Sequence, residues 1–372
     1  MNRKLLLLTL TSFSEPGGIQ SVCKTLVHAL FRLIQQKPDR TGNLQMLSLY
    51  DREPDTRYIP AKLFKGHSGR QISFSMACIR YGWYADTVII SHINLILFAI
   101  IIKLINRKVN LILLAHGTEV DRKLSSWKIK FINRSISIWA VSTHTADVLQ
   151  RRHQISRHSI NILNNCIDPF FKIPDEFEKP AGLLKKHQIK NTTPIILSVC
   201  RMTTADVTKG YDLIIRCMPE LVKAYQDLQY LMAGNMSISE KQRLLRLIYK
   251  LRLQNNIKLL GFIREEDLTQ YYLLADVFAL PSKKEGFGLV FIEAATCGCP
   301  IIAGHADGSS DALLNGMLGT LINPDSQRDL TLAISRHLNA PKNNTEAEAL
   351  QARCLAHFSF QKYCQNVNQL LL

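Results

Sequence analysis

The stretch SKKEGFGLVFIEAATCGCP, residues 282–300, gives the strongest indication of the fold. Its two glutamates, Glu285 and Glu293, are separated by seven uncharged residues. Glycines follow the first glutamate, and Gly298 with Pro300 ends the apolar segment that contains the second. This pattern predicts a glycine loop that leads into a buried helix, with one carboxylate in the loop and the other at the edge of the helix's apolar face.

The start of that helix is a candidate anion site. The first N–H groups of a helix lack intrahelical acceptors, so the amides of Phe287, Gly288 and Leu289 are free to meet a phosphate. Glu285 and Glu293 would flank the anion and accept hydrogen bonds from hydroxyl groups. A ligand with phosphates in the middle and polyols at both ends, such as a nucleotide sugar, fits this pattern. A capping acid and an acid at the core's edge would explain each glutamate separately.

Apolar runs of strand length alternate with helical stretches on both sides of this segment, which is typical of parallel sheets covered by helices. The alternation pauses at 173–193, where prolines and charges indicate a linker. We therefore predict an α/β fold with two domains and a cleft between them, 1–172 and 194–345. The predicted strands are 5–10, 44–49, 86–91, 111–115, 137–141, 194–200, 228–234, 257–261, 276–280 and 300–304.

Two cations lie near a strand-to-helix loop of the second domain. Arg201 follows the strand 194–200, and Lys209 with Gly210 opens the next helix. A guanidinium fork and an ammonium group at one loop suit a diphosphate. The alternative is a pair of solvated surface cations.

The first domain carries glycines and histidines at predicted strand ends. Gly17 and Gly18 follow the first strand, where glycine lets backbone approach an anion, but the full dinucleotide fingerprint is absent. His116 follows the strand 111–115 and is a candidate catalytic residue, with a structural role as the alternative. His92 and Asn94 follow another strand, and for them a structural role competes with acceptor binding.

The formal charge of +16 is concentrated in the first half. Residues 1–172 contain 24 lysines and arginines against 10 aspartates and glutamates, a net charge of +14. Such a surface attracts anions, and anionic lipid headgroups and nucleic acid are the two candidate partners. The chain has no zinc-finger spacing or RNA-binding signature, so nucleic acid is not predicted. A solvated face is the remaining interpretation.

We predict neither a targeting segment nor a metal site from the sequence. The leucines after the basic start imitate a signal peptide, but we interpret 5–10 as a buried strand. The run 93–105 is too short for a spanning helix. The nine cysteines show no zinc spacing and are expected to be buried, reduced thiols of a cytoplasmic protein.

Together these motifs resemble glycosyltransferase family 4, over nearly the whole length. The resemblance rests on Gly17-Gly18, AHG at 115–117, VS at 141–142, NNCID at 164–168, Arg201 with Lys209-Gly210, EGFGLVFIEA at 285–294 and FSFQKY at 358–363. Two segments depart from the family pattern. Cys166 stands where relatives have glycine, and ADGSSDAL at 306–313 replaces the usual Gly-Gly-x-x-Glu on the donor side.

The resemblance implies the GT-B fold, in which two Rossmann-like domains face a central cleft and a C-terminal helix, 346–372, crosses back to the first domain. It implies retaining transfer without a metal ion or cofactor. Each site residue then has an expected role. The diphosphate would be held by Arg201, Lys209 and the amides of Phe287, Gly288 and Leu289. Glu293 would bind the ribose, and Glu285 with His116 would bind the reacting sugar. After closure, Gly17 and Gly18 would complete the phosphate side.

The first functional hypothesis is therefore a hexosyltransferase of surface polysaccharide assembly. Its donor would be a GDP- or UDP-linked sugar, with mannose preferred by analogy, and its acceptor a saccharide, in particular a lipid-linked one. It would be cytoplasmic and peripheral on the inner face of the membrane, through its basic first domain. The alternatives are a sugar-nucleotide epimerase of the same fold and a non-enzymatic basic binding protein.

Overall fold

The structure is a computed structural model that describes residues 4–36, 44–204, 206–340 and 343–372. It divides into two compact units. The first, here called the N-unit, comprises Met1–Pro169 and Phe360–Leu372, and the second, the C-unit, comprises Phe170–Ser359. The segment that forms the C-unit is therefore continuous, whereas the N-unit is assembled from both ends of the chain.

The N-unit is built on a parallel sheet whose described strands follow the order β3-β2-β1-β4-β5-β6-β7. The strands are β1 (Leu5–Thr9), β2 (Leu44–Ser48), β3 (Phe64–Gly66), β4 (Thr87–Ile90), β5 (Asn110–Ala115), β6 (Ile136–Ala140) and β7 (Ile160–Ile162). Its helices are α1 (Gly18–Gln35), α2 (Gln71–Tyr84), α3 (Ile96–Ile105), α4 (Ser126–Ser135), α5 (Thr143–His153) and, from the end of the chain, α14 (Phe360–Leu371).

The C-unit repeats this plan with strands in the order β10-β9-β8-β11-β12-β13, again all parallel among the described residues. The strands are β8 (Ile195–Val199), β9 (Gln229–Ala233), β10 (Ile257–Gly261), β11 (Val277–Leu280), β12 (Ile301–Gly304) and β13 (Thr320–Ile322). The helices are α6 (Ala181–His187), α7 (Tyr211–Ala224), α8 (Ile238–Lys250), α9 (Leu268–Leu274), α10 (Leu289–Thr296), α11 (Ser309–Ala312), α12 (Gln327–Asn339) and α13 (Asn344–Phe358).

The apolar runs of the sequence become buried central strands. All five residues of β1 and all four of β11 are buried, because helices cover both faces of a parallel sheet. The prediction that 5–10 forms a buried strand is confirmed, and so is the prediction of two parallel α/β units. Among the described helices, none combines the length and the apolar character needed to cross a bilayer.

Each sheet has one point where the strand order reverses, between β1 and β4 in the N-unit and between β8 and β11 in the C-unit. The loops after these neighbouring strands diverge to opposite faces, which leaves a crevice at the carboxyl edge of the sheet. The glycine loops identified in the sequence follow β1, β8 and β11. They therefore lie where ligands bind in open α/β sheets.

The structure differs from the predicted segmentation at two places. The segment 173–193, predicted as a linker, contains α6 and belongs to the C-unit. The predicted single helix 346–372 is two helices that meet at Ser359, where the backbone is extended. Only the second, α14, packs in the N-unit, against α1, whereas α13 packs against α10 in the C-unit.

Candidate functional site

The reversal point of the C-unit brings together a predicted phosphate-binding cation and a predicted sugar-binding acid. Lys209 precedes α7, which follows β8, and Glu285 lies in the loop after the neighbouring strand β11. The Lys209 ammonium group donates a hydrogen bond to Glu285 Oε2, and both side chains are more than four-fifths buried. Burial by itself lowers the pKa of Lys209, but the attraction of Glu285 outweighs it and raises that pKa above its ordinary value.

Two glycines shape this site. Gly210 has a left-handed backbone (φ 81°), and a Cβ there would lie 2.2 Å from the carbonyl oxygen of Pro281 at the end of β11. A side chain at Gly210 would therefore force the two loops apart. Gly288 is also left-handed (φ 92°), and its Cβ would lie 2.4 Å from the ring of Phe291, so a side chain there would displace that ring from the start of α10.

The start of α10 offers backbone donors, as predicted from the sequence. Gly288 is the N-cap, and the helix itself begins at Leu289. The N–H groups of Phe287, Gly288 and Leu289 donate to no residue that the structure describes. The ring of Phe287 is buried and packs edge-on against Phe358 at 5.6 Å, so this residue can offer a ligand only its backbone. Three amides beside Lys209 form a site of positive potential.

The second glutamate is held by a tyrosine that the sequence analysis missed. The hydroxyl of Tyr272, on α9, donates to Glu293 Oε2 at 2.8 Å. Tyr272 is fully buried, and burial, with the negative charge of Glu293, raises the pKa of its hydroxyl well above the usual value. Glu293 itself is half-buried at the edge of the apolar face, as predicted. The tyrosine therefore fixes one oxygen of this carboxylate.

A further acid, Asp307, holds the Glu285 loop from the segment after β12. Its Oδ2 accepts the amide of Glu285 at 2.6 Å, its Oδ1 accepts the amide of Ser309 at 3.0 Å, and the amide of Gly308 donates to the carbonyl of Glu285 at 2.8 Å. Burial, with a smaller contribution from the charge of Glu285, raises the pKa of Asp307. Asp307 lies in the segment 306–313, which departs from the family pattern. That departure was the feature of the sequence that could have indicated this residue.

Arg201 differs from what the sequence suggested. Its guanidinium group forms a two-pronged bond with Asp206, at 2.9 and 3.2 Å, and its side chain is 72% exposed. Asp206 is fixed in turn by the hydroxyl of Thr203 at 2.6 Å. The structure therefore does not show two unpaired cations at this loop, because Arg201 and Lys209 are each paired with a carboxylate.

In the N-unit, the loop that carries the predicted glycines is organised by a buried aspartate. Asp51, three residues after the end of β2, is fully buried and accepts hydrogen bonds from the loop 11–14 and from Ser48. The donors are the hydroxyl of Thr11, the amides of Ser12, Phe13 and Ser14, and the hydroxyls of Ser14 and Ser48, at 2.7–3.1 Å. Burial alone would raise the pKa of Asp51, but these bonds lower it below its ordinary value. The loop then reaches Gly17, the N-cap of α1, and Gly18, its first residue.

His116 lies at the carboxyl end of β5, as predicted, and is buried. Its Nε2 lies 2.8 Å from the carbonyl oxygen of Ser91, which requires the proton on Nε2. Its Nδ1 is then an acceptor, and it is buried without a partner among the described residues. Glu119 accepts the His116 amide at 2.5 Å and holds the turn. An unsatisfied acceptor at a strand end is suited to a substrate hydroxyl.

The structure gives His92 a local structural contact, the alternative that the sequence left open. His92 Nδ1 accepts the amide of Asn94 at 3.0 Å and caps the short turn after β4. Burial lowers the pKa of His92, with a smaller opposing effect from Glu119. Asn94 is exposed at the same edge of the sheet.

Comparison with known proteins agrees with this geometry. Residues 183–352 match the family described as glycosyl transferases group 1. Over these residues the chain is similar to the group 1 glycosyltransferases. The matched region contains Arg201, Lys209, Glu285 and Glu293, and covers most of the C-unit.

Curated relatives align with this chain over part of their length. One is the GDP-mannose-dependent alpha-(1-6)-phosphatidylinositol monomannoside mannosyltransferase of Mycolicibacterium smegmatis, 29% identical over 40% of the chain and 40% of the relative. Another is the GDP-mannose-dependent monoacylated alpha-(1-6)-phosphatidylinositol monomannoside mannosyltransferase of Corynebacterium glutamicum, 31% identical over 37% of the chain and 36% of the relative. The chain thus spans less than half the length of either.

The fold is shared over the whole chain. Anabaena HepE in complex with UDP superposes with a TM-score of 0.77 at 18% identity, over 99% of both chains. Sucrose-phosphate synthase from Thermosynechococcus elongatus gives the same TM-score at 18% identity, over 99% of this chain and 98% of that one. The predicted GT-B fold is confirmed.

Proposed function

We propose that the chain is a retaining, metal-independent hexosyltransferase that uses a nucleotide-diphospho-sugar. One observation carries the proposal: the buried Lys209–Glu285 pair lies beside the unpaired amides that open α10, with Glu293 further along the same helix. The relatives support it, since two carry GDP-mannose in their names and a structure of similar fold holds UDP. The donor is a GDP- or UDP-sugar, with mannose favoured.

The lysine and the helix start would stabilise the leaving diphosphate. Lys209 has three N–H donors and uses one for Glu285, so two remain for phosphate oxygens without breaking the pair. The amides of Phe287, Gly288 and Leu289 add fixed dipoles that need no reorganisation. Arg201 can add a further cation, since it is exposed and needs only to turn from Asp206. These groups carry out the charge neutralisation for which other transferases use a metal ion.

The two glutamates would hold the sugars on either side. Glu293 has one oxygen fixed by Tyr272, which leaves the carboxylate oriented to accept ribose hydroxyls. Glu285 has its Oε2 on Lys209, which leaves Oε1 for hydroxyls of the transferred sugar. Its negative charge would also favour the positive charge that develops at the anomeric carbon. In a retaining transfer on one face, the leaving diphosphate itself can accept the proton of the acceptor.

His116 and the glycines of the N-unit complete the assignment. The unpartnered Nδ1 of His116 would accept a hydroxyl hydrogen bond from the donor sugar, and Gly17 with Gly18 would present α1 amides to the phosphates. The contacts of His92 and Asn94 place them at the same sheet edge, where Asn94 would meet the acceptor.

Thermal-shift measurements with UDP, GDP, UDP-glucose and GDP-mannose test the donor site, because a ligand that binds only the native state raises its melting temperature. The shift should be lost in Lys209→Met and kept in Lys283→Met, which removes an exposed lysine of the Glu285 loop. Activity should persist in EDTA. A shift unchanged in Lys209→Met would contradict the assignment, and release of an epimerised nucleotide sugar without transfer would favour the epimerase.

We further propose that the acceptor is lipid-linked and that the N-unit docks on the membrane through α2 and α3. Four large apolar side chains recur along α2 at spacings of four, three and four and are 42–78% exposed: Ile72, Met76, Ile79 and Trp83. On α3, Leu97, Ile101 and Leu104 repeat the pattern. Helical spacing places each set on one outward face. We call these seven residues the α2–α3 apolar face.

The two helices form one surface. Phe74 of α2 and Phe98 of α3 pack edge-on at 5.0 Å, and a Cβ at Gly82 would lie 2.6 Å from Ile102. Exposed cations border the surface at Arg80, Arg107 and Lys108. Since the sequence before the C-unit has a net charge near +14, anionic lipid attracts this face, whereas a second copy of the chain would be repelled.

Vesicle flotation tests this docking. Replacing Ile72, Met76 and Trp83 by serine should weaken binding to phosphatidylglycerol vesicles at least about tenfold, since burying each side chain is worth about 1–3 kcal/mol. The control replaces Leu245 and Tyr249 by serine. These two are comparably exposed apolar residues on α8 of the C-unit. The Lys123→Glu, Lys128→Glu, Lys130→Glu variant measures the electrostatic part. Equal binding by all four proteins would contradict the proposal.

A further inference from the structure

A basic cavity lies at the carboxyl ends of β2 and β3, apart from the residues assigned above. Its volume is about 700 Å³. Arg52, Lys65 and Arg70 line it, and the lining includes no carboxylate. The nearest acidic partner of Arg52 is Glu53, at 3.7 Å, in a pair whose side chains are both more than 80% exposed. Such a pair is weak in water, so the three cations are available to an anion.

The cavity also adjoins the start of α2, which has no side-chain cap. Arg70 is the N-cap residue and makes no capping hydrogen bond with its side chain, and the first turn contains no acid. The amides of Gln71, Ile72 and Ser73 donate to no residue in the described part of the chain. A 14-residue helix thus directs its positive end and three free donors to the region bordered by the cations.

His67 supplies an independent sign of a missing partner. It lines the cavity and is 3% exposed. Its Nδ1 lies 3.0 Å from the hydroxyl of Ser73, whereas its Nε2 is buried without a partner among the described residues. Burial, with the charge of Lys65, lowers the pKa of His67, so the ring is neutral near pH 7. Its one proton can therefore serve either Ser73 or a ligand.

The backbone shapes the cavity around these groups. Gly66 crosses the segment after β2 so closely that a Cβ would lie 2.4 Å from the carbonyl oxygen of Asp51. Ser68 and Gly69 are both left-handed, with φ of 49° and 81°. The amide of Ser68 donates to the Asp51 carbonyl at 3.2 Å, which fixes the loop before α2. The site is therefore built on bonded backbone and does not depend on mobile side chains alone.

We propose that this cavity binds the phosphate group of the acceptor. Two guanidinium forks and one ammonium group match a tetrahedral oxyanion. In the sheet, β3 is three strand positions from β4, about 14 Å, so an acceptor could reach from the cavity to the edge where His92, Asn94 and His116 lie. Phosphate binding here does not require transferase activity. Only its assignment to the acceptor rests on the function proposed above.

Calorimetric titration with inorganic phosphate at constant ionic strength tests the site. It is carried out in the Lys209→Met background, so that the buried donor-side lysine is absent. Saturable binding is expected, and Arg52→Gln with Arg70→Gln should weaken it at least about tenfold. The charge-matched control is Arg107→Gln with Lys108→Gln, two exposed cations outside the cavity, which should change it less than about twofold. Absence of saturable binding, or equal weakening in both variants, would overturn the proposal.

The same titration separates this inference from the donor proposal. If Lys209→Met loses no phosphate binding relative to the unmodified chain, the donor assignment fails while the cavity stands. Competition then identifies the carrier of the phosphate. Glucose 6-phosphate should displace inorganic phosphate if the acceptor is a soluble saccharide phosphate, and phosphatidylglycerol vesicles should do so if it is a lipid headgroup. Displacement by neither would refute the assignment to an acceptor.

Discussion

Replacing Asp51 by asparagine should destabilise the N-unit strongly, although the two side chains have nearly the same shape. Asp51 Oδ1 accepts four hydrogen bonds from the loop 11–14, and Oδ2 accepts two, from the amide of Ser12 and the hydroxyl of Ser48. An asparagine can keep Oδ1 but must place an NH₂ group against the Ser12 amide. Ser48 can adapt by rotating its hydroxyl, whereas the amide cannot.

The magnitude follows from these bonds. A buried amide left without an acceptor costs about 1–3 kcal/mol, and the remaining bonds lose the strengthening that a charged acceptor gives, about 1 kcal/mol each for two or three of them. The total is about 3–6 kcal/mol. For a unit of this size, about 2–4 °C of melting temperature corresponds to each kcal/mol, so a drop of roughly 6–24 °C is expected.

The pH dependence gives a second test of the same reasoning. Because the pKa of Asp51 is lowered in the folded chain, its stabilising effect is fully present above the ordinary aspartate pKa of about 3.9. The effect is lost as the pH falls through the lower, folded value. The difference between the unmodified chain and Asp51→Asn should therefore be constant from pH 5 to 8 and shrink below about pH 4.

Differential scanning calorimetry measures both quantities. Asp55→Asn serves as the control, because Asp55 pairs with the exposed Arg57 and such pairs contribute at most about 1 kcal/mol. A melting temperature of Asp51→Asn within 2 °C of the unmodified chain at pH 7, by the scale of about 2–4 °C per kcal/mol, would refute the count of bonds. A difference that persists undiminished at pH 3 would show that the network does not depend on ionised Asp51.

Three further predictions concern the C-unit. Tyr272→Phe removes the hydrogen bond to Glu293, which is worth about 1–1.5 kcal/mol. The KM for the donor should therefore rise about fivefold to tenfold in steady-state kinetics, with kcat nearly unchanged. An unchanged KM would contradict the proposal that Tyr272 positions Glu293. Gly288→Ala introduces a Cβ at 2.4 Å from a phenylalanine ring in left-handed backbone and should cost at least about 1–2 kcal/mol in urea unfolding, whereas Gly182→Ala, which meets nothing within 4 Å in a helix, should be neutral or stabilising. Since the pKa of Lys209 is raised, urea titrations should give a difference in unfolding free energy between the unmodified chain and Lys209→Met that is constant from pH 7 to about 10 and shrinks at higher pH. A difference that grows with pH would mean that the pair of Lys209 and Glu285 is not ionic.

The sequence predicted the parts of the fold that depend on long apolar runs. Strands such as β1 and β11, buried on both faces, were placed to within a residue or two. The three-residue strands β3, β7 and β13 were missed, because so short a segment shows no periodicity. The helix α6 was missed as well, since its lysines and the proline before it resemble a linker.

The candidate site was partly predictable for a related reason. Lys209, Glu285 and Glu293 stand in recognisable local patterns, and the structure brings the first two into contact. Their partners Tyr272 and Asp307 lie about twenty residues away in the chain, and such contacts leave no local pattern. Asp51 could have been found, because an acid within three residues of the end of a buried strand has nearly the same position as the residues that were singled out.

The path of the chain through the two units bears on how such proteins can be recombined. Every group assigned here to the donor's diphosphate and sugars, apart from His116 and the glycines of α1, belongs to the unbroken segment Phe170–Ser359. Along the chain, this segment is a single insertion between the two parts of the N-unit. A chimaera that takes 170–359 from a relative with another nucleotide preference needs only two junctions, and its melting temperature should respond to the nucleotide of the inserted segment rather than to that of the host.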